Sequence, residues 1–486
     1  MKIQKKGLKT KKVLKVKKKK GDKIVSHKTD MSDILPEEKP AELSKRAQHM
    51  VGKYSSPRWS GEITDCSLPM TFDQYDHCSY NCLYCFSWFQ KSLKAFNPLY
   101  PNQTKGYQAM QLRSASPKHL ERIMNLEMPE NSASGQFNDF VREKKVLQWG
   151  GLSDPFDEFE RLHGVGLECL KILHKHKHPC TFSTKSNWWT KDKRYVDLFK
   201  GNKQFHTKVS IINLDAERAK KMEVGVSSPM TRLDTIKTVC EWGGGGATLR
   251  LRPFIIGFSD TNDEYLDLIK EAHDRGCKSI STEFFCLEGR AHRGTLARYE
   301  AMSEIVGFDI HDFYKRNSPG MSGYLRLNWK IKQPFVNKMK GACDLLGMKF
   351  YISDAHYKEK CAGGSCCGLP DDGNWNYARG QYTEMIVLAQ KRKNGEVTWE
   401  DMEKHLDTFK KFKWMYSNGF NTGGTQQRTK KWNFTMYDYL KEIWNTPNDA
   451  KSLYKYFAGA MKPVRLDKHK NVVYKFIGIE NTGKVV

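Results

Sequence analysis

Asp76-His77-Cys78-Ser79-Tyr80-Asn81-Cys82-Leu83-Tyr84-Cys85-Phe86 places three cysteines at C-x3-C-x2-C spacing, with an aromatic residue just before the last of them. A loop this short brings three thiolates round one face of a 4Fe-4S cubane and supplies no fourth, so one iron is left open to another ligand. Structural zinc normally takes four ligands, commonly as two close pairs, and this triplet offers three. His77 makes a fourth on paper, but it adjoins Cys78 and geometry disfavours it. A zinc loop and three buried free thiols remain the alternatives, and the spacing favours a chemically active cluster over both.

The chain has 486 residues, 39% of them apolar, enough for roughly two to four domains with a real core. It holds no run of 18 apolar residues and no apolar stretch at the N-terminus, so neither a membrane span nor a secretory signal is predicted. The cytoplasm, or a nucleus, is the expected compartment. Thirteen cysteines, an odd number at irregular spacing with an adjacent pair at Cys366-Cys367, read as the usage of a reduced compartment and not as a disulfide framework. Lys plus Arg number 81 against 55 Asp plus Glu, a net charge of +26, and such a field attracts polyanions, nucleic acid first among them. Residues 1–28 carry thirteen lysines against the single acid Asp22; the segment has no helical apolar stripe and reads as a disordered tether for phosphate backbones. That tail accounts for less than half of the excess, so the body is basic too. A solubilising tail is the other reading of it.

Residues 29–65 are polar and proline-containing, with one amphipathic stretch at 41–51, and read as a linker and lead-in helix. From 66 to 290, short apolar runs alternate with amphipathic stretches, the rhythm of βα units on a parallel sheet. The expected strands are 146–149, 180–183, 207–212, 247–256 and 279–285, after a first strand ahead of Cys78; the expected helices are 117–125, 159–174, 194–200, 230–240 and 263–275. Six such units make an α/β fold with a partial, open (β/α)6 TIM-like barrel, whose active groups would cluster at the C-terminal ends of the strands. Residues 291–395 read as a cysteine-containing cap with a helix around 334–346, and 396–486 as a mostly helical C-terminal extension broken at 419–427 and closed by a hairpin at 463–477.

Several strand ends carry chemistry. Gly150 and Gly151, in Gln148-Trp149-Gly150-Gly151-Leu152-Ser153-Asp154-Pro155-Phe156, let backbone approach a ligand closely. Lys185, in Thr184-Lys185-Ser186, is placed to pair with a carboxylate, and Ser210 lies in the next strand. Arg250 and Arg252 precede Pro253 in the fifth strand, and Asp260 and Glu283 follow, each as apt for a salt bridge as for a functional role.

The order of Cys78-x3-Cys82-x-Tyr84-Cys85, Ser153-Asp154-Pro155-Phe156, Thr184-Lys185-Ser186, Val209-Ser210-Ile211, Met222-Glu223 to Arg232-Leu233, and Arg252-Pro253-Phe254-Ile255-Ile256-Gly257 with Asp260 resembles the spore photoproduct lyase-like branch of the radical S-adenosylmethionine (SAM) superfamily. The resemblance covers residues 66–290, about half of the chain. It implies that Cys78, Cys82 and Cys85 hold a 4Fe-4S cluster whose open iron binds SAM, and that reductive cleavage of SAM yields a 5′-deoxyadenosyl radical. It further implies Tyr84 beside the adenine, Gly150 and Gly151 beside the methionine amine, Lys185 and Ser210 at the SAM carboxylate and ribose, and Ser153 and Arg252 among the cofactor-binding residues. A flavodoxin- or ferredoxin-type reductant is the implied partner. One departure stands out: the family's lyases carry a cysteine hydrogen donor just ahead of the Ser-Asp pair, where this chain has Gly150, Gly151 and Leu152.

Cys343, Cys361, Cys366 and Cys367, with Gly363 and Gly364 between them and Gly368 just after, form a second cysteine group. They suit an auxiliary iron-sulfur cluster or a zinc ion, thiol donors at Cys366 or Cys367 reaching the barrel mouth from the cap, or buried thiols in a Gly-rich turn. His174, His176 and His178 read as a solvated basic helix end, and Gly243 to Gly246 as a loop without the Lys-Ser/Thr of a phosphate site. Between Lys410 and Tyr456, aromatics interleave with cations, notably Lys413-Trp414, Tyr416, Gln426-Gln427-Arg428, Lys430-Lys431-Trp432, Tyr437, Tyr439, Trp444, Tyr454 and Tyr456. That composition suits a nucleotide site, though Tyr437-Leu440-Trp444 also fits one buried helix face. The leading expectation is a radical SAM enzyme acting on nucleic acid, for lesion repair or base or sugar modification. A maturase or modifying enzyme of peptides or small molecules is the alternative, and a zinc-binding module the distant third.

Overall fold

The computed structural model describes residues 50–53, 56–60, 65–87, 112–406 apart from 131, 133, 290, 292, 319–323 and 371, and 436–478. The basic tail 1–28 and the interleaved segment from Lys413 to Trp432 lie outside the described residues.

Eight strands form one sheet: β1 Arg58–Trp59, β2 Met70–Phe72, β3 Leu147–Trp149, β4 Cys180–Thr184, β5 Phe205–Ser210, β6 Ala247–Phe254, β7 Ser279–Phe284 and β8 Lys349–Ile352. Their spatial order follows the chain from one edge to the other. β2 to β8 are parallel, and β1 runs antiparallel along β2 at one edge. The six expected strands all occur in the expected order, and β8 adds a seventh parallel strand from beyond residue 290. The edge strands β1 and β8 do not pair with each other, so the barrel is partial and open.

Helices α1 Pro117–Met124, α2 Val165–Lys175, α3 Lys193–Phe199, α4 Pro229–Glu241, α5 Glu264–Asp274 and α6 Trp329–Leu345 cover one face of this sheet. Local chemistry sets their ends. Ser116 and Ser228 cap α1 and α4 by accepting from the amides of His119 and Thr231, and each is followed by a proline at the first helical position, where the missing N–H costs nothing. The helix expected at 159–174 is two helices, because Gly164 adopts φ +65° between them. Glu160, buried at that junction, accepts from the amides of Gly166 and Leu167 at 2.7 and 2.8 Å and from the hydroxyls of Tyr75 and Tyr195. It thereby satisfies the first orphan amides of α2.

Alternation along the strands divides the sheet. Val209, Leu249, Leu251, Ile280, Phe350 and Ile352 enter the main core with Leu170, Leu173, Leu233, Ile236, Leu268 and Met339 of the helices, while the residues between them line an inner face that is mostly polar. Thr181 Oγ1 lies 3.0 Å from His206 Nδ1, His206 Nε2 lies 3.0 Å from Thr248 Oγ1, and Thr248 and Ser279 hydroxyls are 2.6 Å apart. Burial in this layer, with Lys208 nearby, lowers the His206 pKa to about 3. The unfolded chain therefore takes up a proton below about pH 6.5 that the folded chain refuses, and stability is lost as pH falls from there toward 3. We expect His206→Gln to remove about 1.4 kcal/mol per pH unit from that acid slope, read from urea midpoints between pH 7 and 5; an unchanged slope would assign the acid sensitivity elsewhere.

Smaller elements complete the molecule. Asn81–Cys82 pairs with Glu223–Val224, and Glu396–Val397, Val472–Phe476 and Met461–Leu466 form a three-stranded antiparallel sheet. Its hairpin matches the expected one at 463–477. Trp444 and Leu440 are fully buried against Tyr382, Trp399 and Tyr474, so the Tyr437-Leu440-Trp444 spacing belongs to a core face. No helix among the described residues is long and apolar enough to cross a membrane.

Candidate active site

The cysteine loop leaves the C-terminal end of β2 and is clamped there by buried carboxylates. Asp73 accepts from the amides of Leu152 and Ser153 at 2.8 and 2.9 Å, from the Ser153 hydroxyl and from Arg58, which ties the loop after β3 to the end of β2. Asp76 accepts from the backbone and side chain of Arg113 and lies 2.8 Å from the ring of His77. Asp157 accepts from the Ser79 amide at 2.6 Å, and the Ser79 hydroxyl in turn accepts from the Glu158 amide. Asp154 accepts from Phe156 N, Lys185 N and the Thr184 hydroxyl, joining the ends of β3 and β4. Asp76 and Asp157 thus hold the loop itself, and Asp73 and Asp154 hold together the three strand ends around it. Asp76 and Asp154 stand inside the quoted motifs, but no role is legible in sequence for them or for Asp73 and Asp157, because a buried aspartate that accepts amide protons looks there like any turn residue.

Cys82 is buried, and Cys78 and Cys85 are partly exposed. Burial raises the Cys78 and Cys82 thiols above the ordinary cysteine range, with the charges of Asp157 and Asp154 adding at Cys78 and Lys185 opposing at Cys82. Among the described residues no three His, Cys, Asp or Glu side chains stand as ligands of a single metal ion. A cubane asks for something else, one cysteine on each of three irons, and Cys78, Cys82 and Cys85 offer three unbridged thiols on one loop. The Cys82 and Leu83 carbonyls accept from Arg298, the former at 2.8 Å.

Beside this loop a buried chain of polar groups spans the strand ends. Tyr84 donates to Glu223, whose other oxygen lies 2.7 Å from Arg232, and Arg232 also donates to the Ser210 carbonyl at 2.7 Å. Lys185 Nζ stands 5.7 Å from the centre of the Tyr84 ring. Tyr84, Lys185 and Ser210 are therefore gathered on the same side as the cysteines. Gly150 has φ +85°, and a Cβ there would meet the Ser183 carbonyl at 2.7 Å and Pro155 at 2.9 Å; a glycine is required by packing alone. At Gly151 a Cβ would approach Arg58 at 3.1 Å. The Ser153 hydroxyl is occupied by Asp73, and Arg252 pairs with Glu283.

The second cysteine group is distributed over two cores. Cys343 is buried among the apolar residues of α6, and the Cys361 thiol donates to the Ile352 carbonyl. Cys366 and Cys367 lie instead with Cys66, Leu68, Val146, Leu369 and Trp375. The run 366–369 enters the inner face of the sheet from the strands' N-terminal end: the Gly368 carbonyl accepts from Thr248 at 2.8 Å, the Cys366 carbonyl from Ser281 at 2.8 Å, and the Leu369 carbonyl from Tyr351. It forms a plug beneath the mouth and not a cover above it. The neighbouring Cys366 thiol together with the cations of Lys208 and Arg252 favours the thiolate at Cys367, while Cys367 and burial keep Cys366 protonated. Of the three histidines at the end of α2, His174 and His176 lie at the helix end and His178 is buried, with burial lowering its pKa to about 3.

No family model matches the chain, and no curated protein matches it in sequence. Among solved structures the chain is similar to spore photoproduct lyase complexed with dinucleoside spore photoproduct, at 15% identity over 66% of this chain and 86% of that one, with a TM-score of 0.47. It is also similar to Streptococcus suis SuiB bound to S-adenosylmethionine, at 16% identity over 51% and 48%, TM-score 0.32, and to SuiB bound to the precursor peptide SuiA, at 14% identity over 60% and 59%, TM-score 0.33. These are likenesses of fold alone.

Proposed function

We propose that the chain is a radical SAM enzyme in which Cys78, Cys82 and Cys85 hold a 4Fe-4S cluster at the mouth of the partial barrel. The observation that carries this reading is the held loop: three unbridged thiols at the C-terminal ends of parallel strands, on a loop fixed by Asp76 and Asp157 between strand ends joined by Asp73 and Asp154, beside Tyr84 and Lys185. When bound and reduced, the cluster supplies the electron that cleaves SAM to a 5′-deoxyadenosyl radical.

The chain's own residues do the positioning. Lys185 offers an ammonium for the SAM carboxylate, Ser210 a hydroxyl for the ribose, and the Tyr84 ring, its hydroxyl held by Glu223, a flat apolar face for the adenine. Gly150 and Gly151 leave backbone free of side chains for the methionine amine. Ser153 serves that loop through its bond to Asp73, and Arg252 serves the mouth through Glu283. Cys366, whose thiol stays protonated, is the candidate hydrogen donor to a substrate radical, with Cys367 beside it, approached from the plug below. Residues 66–290 would then form the SAM-cleaving unit, with 291–395 and 396–486 shaping access to it.

For the substrate we favour nucleic acid, on the net charge of +26 and the phosphate-seeking character of a lysine-rich segment. A peptide or small-molecule substrate is the competing reading. Anaerobically reconstituted, reduced protein given SAM is expected to release 5′-deoxyadenosine, and its absence would end the enzyme reading. Filter binding to DNA and RNA across a salt series separates the substrates: a steep fall in affinity with salt supports nucleic acid, and a flat response supports the alternative.

A further inference from the structure

Between the plug and the mouth the inner face carries three cations on neighbouring strands: Lys208 of β5, and Arg250 and Arg252 of β6. The register brings Ser183 beside Lys208, and Arg250 beside Ser210 and Ser281. Arg252 pairs with Glu283. Lys208 is 1% exposed and Arg250 partly buried, and neither the Lys208 ammonium nor the Arg250 guanidinium makes a hydrogen bond or ion pair with any described residue. The Ser183 hydroxyl is buried and without a partner as well. Like charges this close disfavour one another: burial and the neighbouring arginines lower the Lys208 pKa, and burial and Arg252 lower that of Arg250, to about 10.

Buried cations without partners are costly, and a fold retains them where something else brings the counter-charge. Glu283 is committed to Arg252. A thiolate at Cys367 balances one further charge, but sulfur is a weak acceptor for the ammonium and guanidinium donors of Lys208 and Arg250, which together number eight. What this set lacks is a compact group rich in acceptor oxygens. Lys208 and Arg250 offer the charge and Ser183 a hydroxyl, side by side on the inner face of adjacent strands, toward whose C-terminal ends Ser210, Lys185 and the cysteine loop lie.

We propose that Lys208, Arg250 and Ser183 form a receptor for an oxyanion of the substrate, a phosphate group in the nucleic-acid reading, which anchors the substrate beneath the SAM site. That the oxyanion belongs to the substrate rests on the function proposed above; that it binds here rests on the cations alone. The receptor orients the rest of the substrate upward, toward the strand ends.

The full chain without a cluster, titrated calorimetrically with inorganic phosphate and separately with acetate, tests this without any SAM chemistry. Phosphate is expected to bind, and Lys208→Met and Arg250→Gln are each expected to weaken it at least tenfold, while Cys367→Ser leaves it equal or tighter by removing a competing anion. Binding of acetate in place of phosphate, with the same losses, supports the receptor and assigns it to a carboxylate substrate. Lys208→Met removes an unpaired buried charge at similar volume, so its Tm is expected to rise, which guards against loss of binding through misfolding. Absence of binding by both anions in wild type and Cys367→Ser, or binding unaffected by Lys208→Met and Arg250→Gln, overturns the proposal. So does a fall in Tm of Lys208→Met together with loss of the thiolate absorbance of Cys367, which would make Lys208 the partner of that sulfur. Failure of 5′-deoxyadenosine formation with phosphate binding intact would remove the radical reading and leave the receptor.

Discussion

Arg232→Met is expected to lower the unfolding free energy by about 3–5 kcal/mol, the range for breaking one partner of a buried ion pair. Arg232 and Glu223 are each 1% exposed and 2.7 Å apart, so removing the guanidinium leaves a carboxylate without water or counter-charge. The loss also reaches the cysteine loop. Glu223 accepts from Tyr84, and Glu223–Val224 pairs with Asn81–Cys82, so the residues flanking Cys82 depend on the carboxylate staying in place. Reconstituted Arg232→Met protein should therefore hold less iron than wild type even at a temperature where it remains folded. Adding Glu223→Gln should recover a large part of the stability, because a neutral amide still accepts from Tyr84 and no longer needs a cation. Urea denaturation of the single and double variants gives the comparison; a loss below about 1 kcal/mol in the single variant would mean that solvent reaches this pair.

Replacing Cys78, Cys82 and Cys85 together by alanine is expected to abolish both iron binding and 5′-deoxyadenosine formation. Wild-type protein should take up about four irons per chain after reconstitution, and the triple variant should take up close to none. The geometry decides the second number. Cys343 sits in the core of α6, the Cys361 thiol is engaged by the Ile352 carbonyl, and Cys366 and Cys367 belong to a different cluster of packed residues. Among the described residues no three of these side chains stand as ligands of a single metal ion. Retention of about four irons by the triple variant would show that the second group assembles after all, and would move the thiol chemistry of Cys366 and Cys367 to metal ligation.

The cysteine triplet was legible because its members are neighbours in the chain: eight residues carry all three thiols and Tyr84, and no fold is needed to bring them together. The strands were legible for a similar reason, since their apolar faces recur every second residue and pack on helices of matching period. Boundaries moved where local backbone chemistry intervened, as at Gly164, whose left-handed conformation splits one expected helix in two.

Other features existed only once the sheet had formed. Alternation says that His206, Lys208 and Ser210 share a face, but it does not say that this face meets Arg250 and Arg252 from the next strand with a single acid among them. Asp73, Asp76 and Asp157 acquire their meaning from amides as many as eighty residues away along the chain. Cys366 and Cys367, expected at the mouth, enter from the opposite end because the carbonyls of Cys366 and Gly368 find hydroxyl donors on the inner face of β6 and β7. The sequence by itself determined the cysteine triplet and the βα rhythm, both encoded by short-range spacing. The tertiary structure decided what surrounds the triplet, because a charge or a thiol has no partner until distant strands bring one within hydrogen-bonding reach.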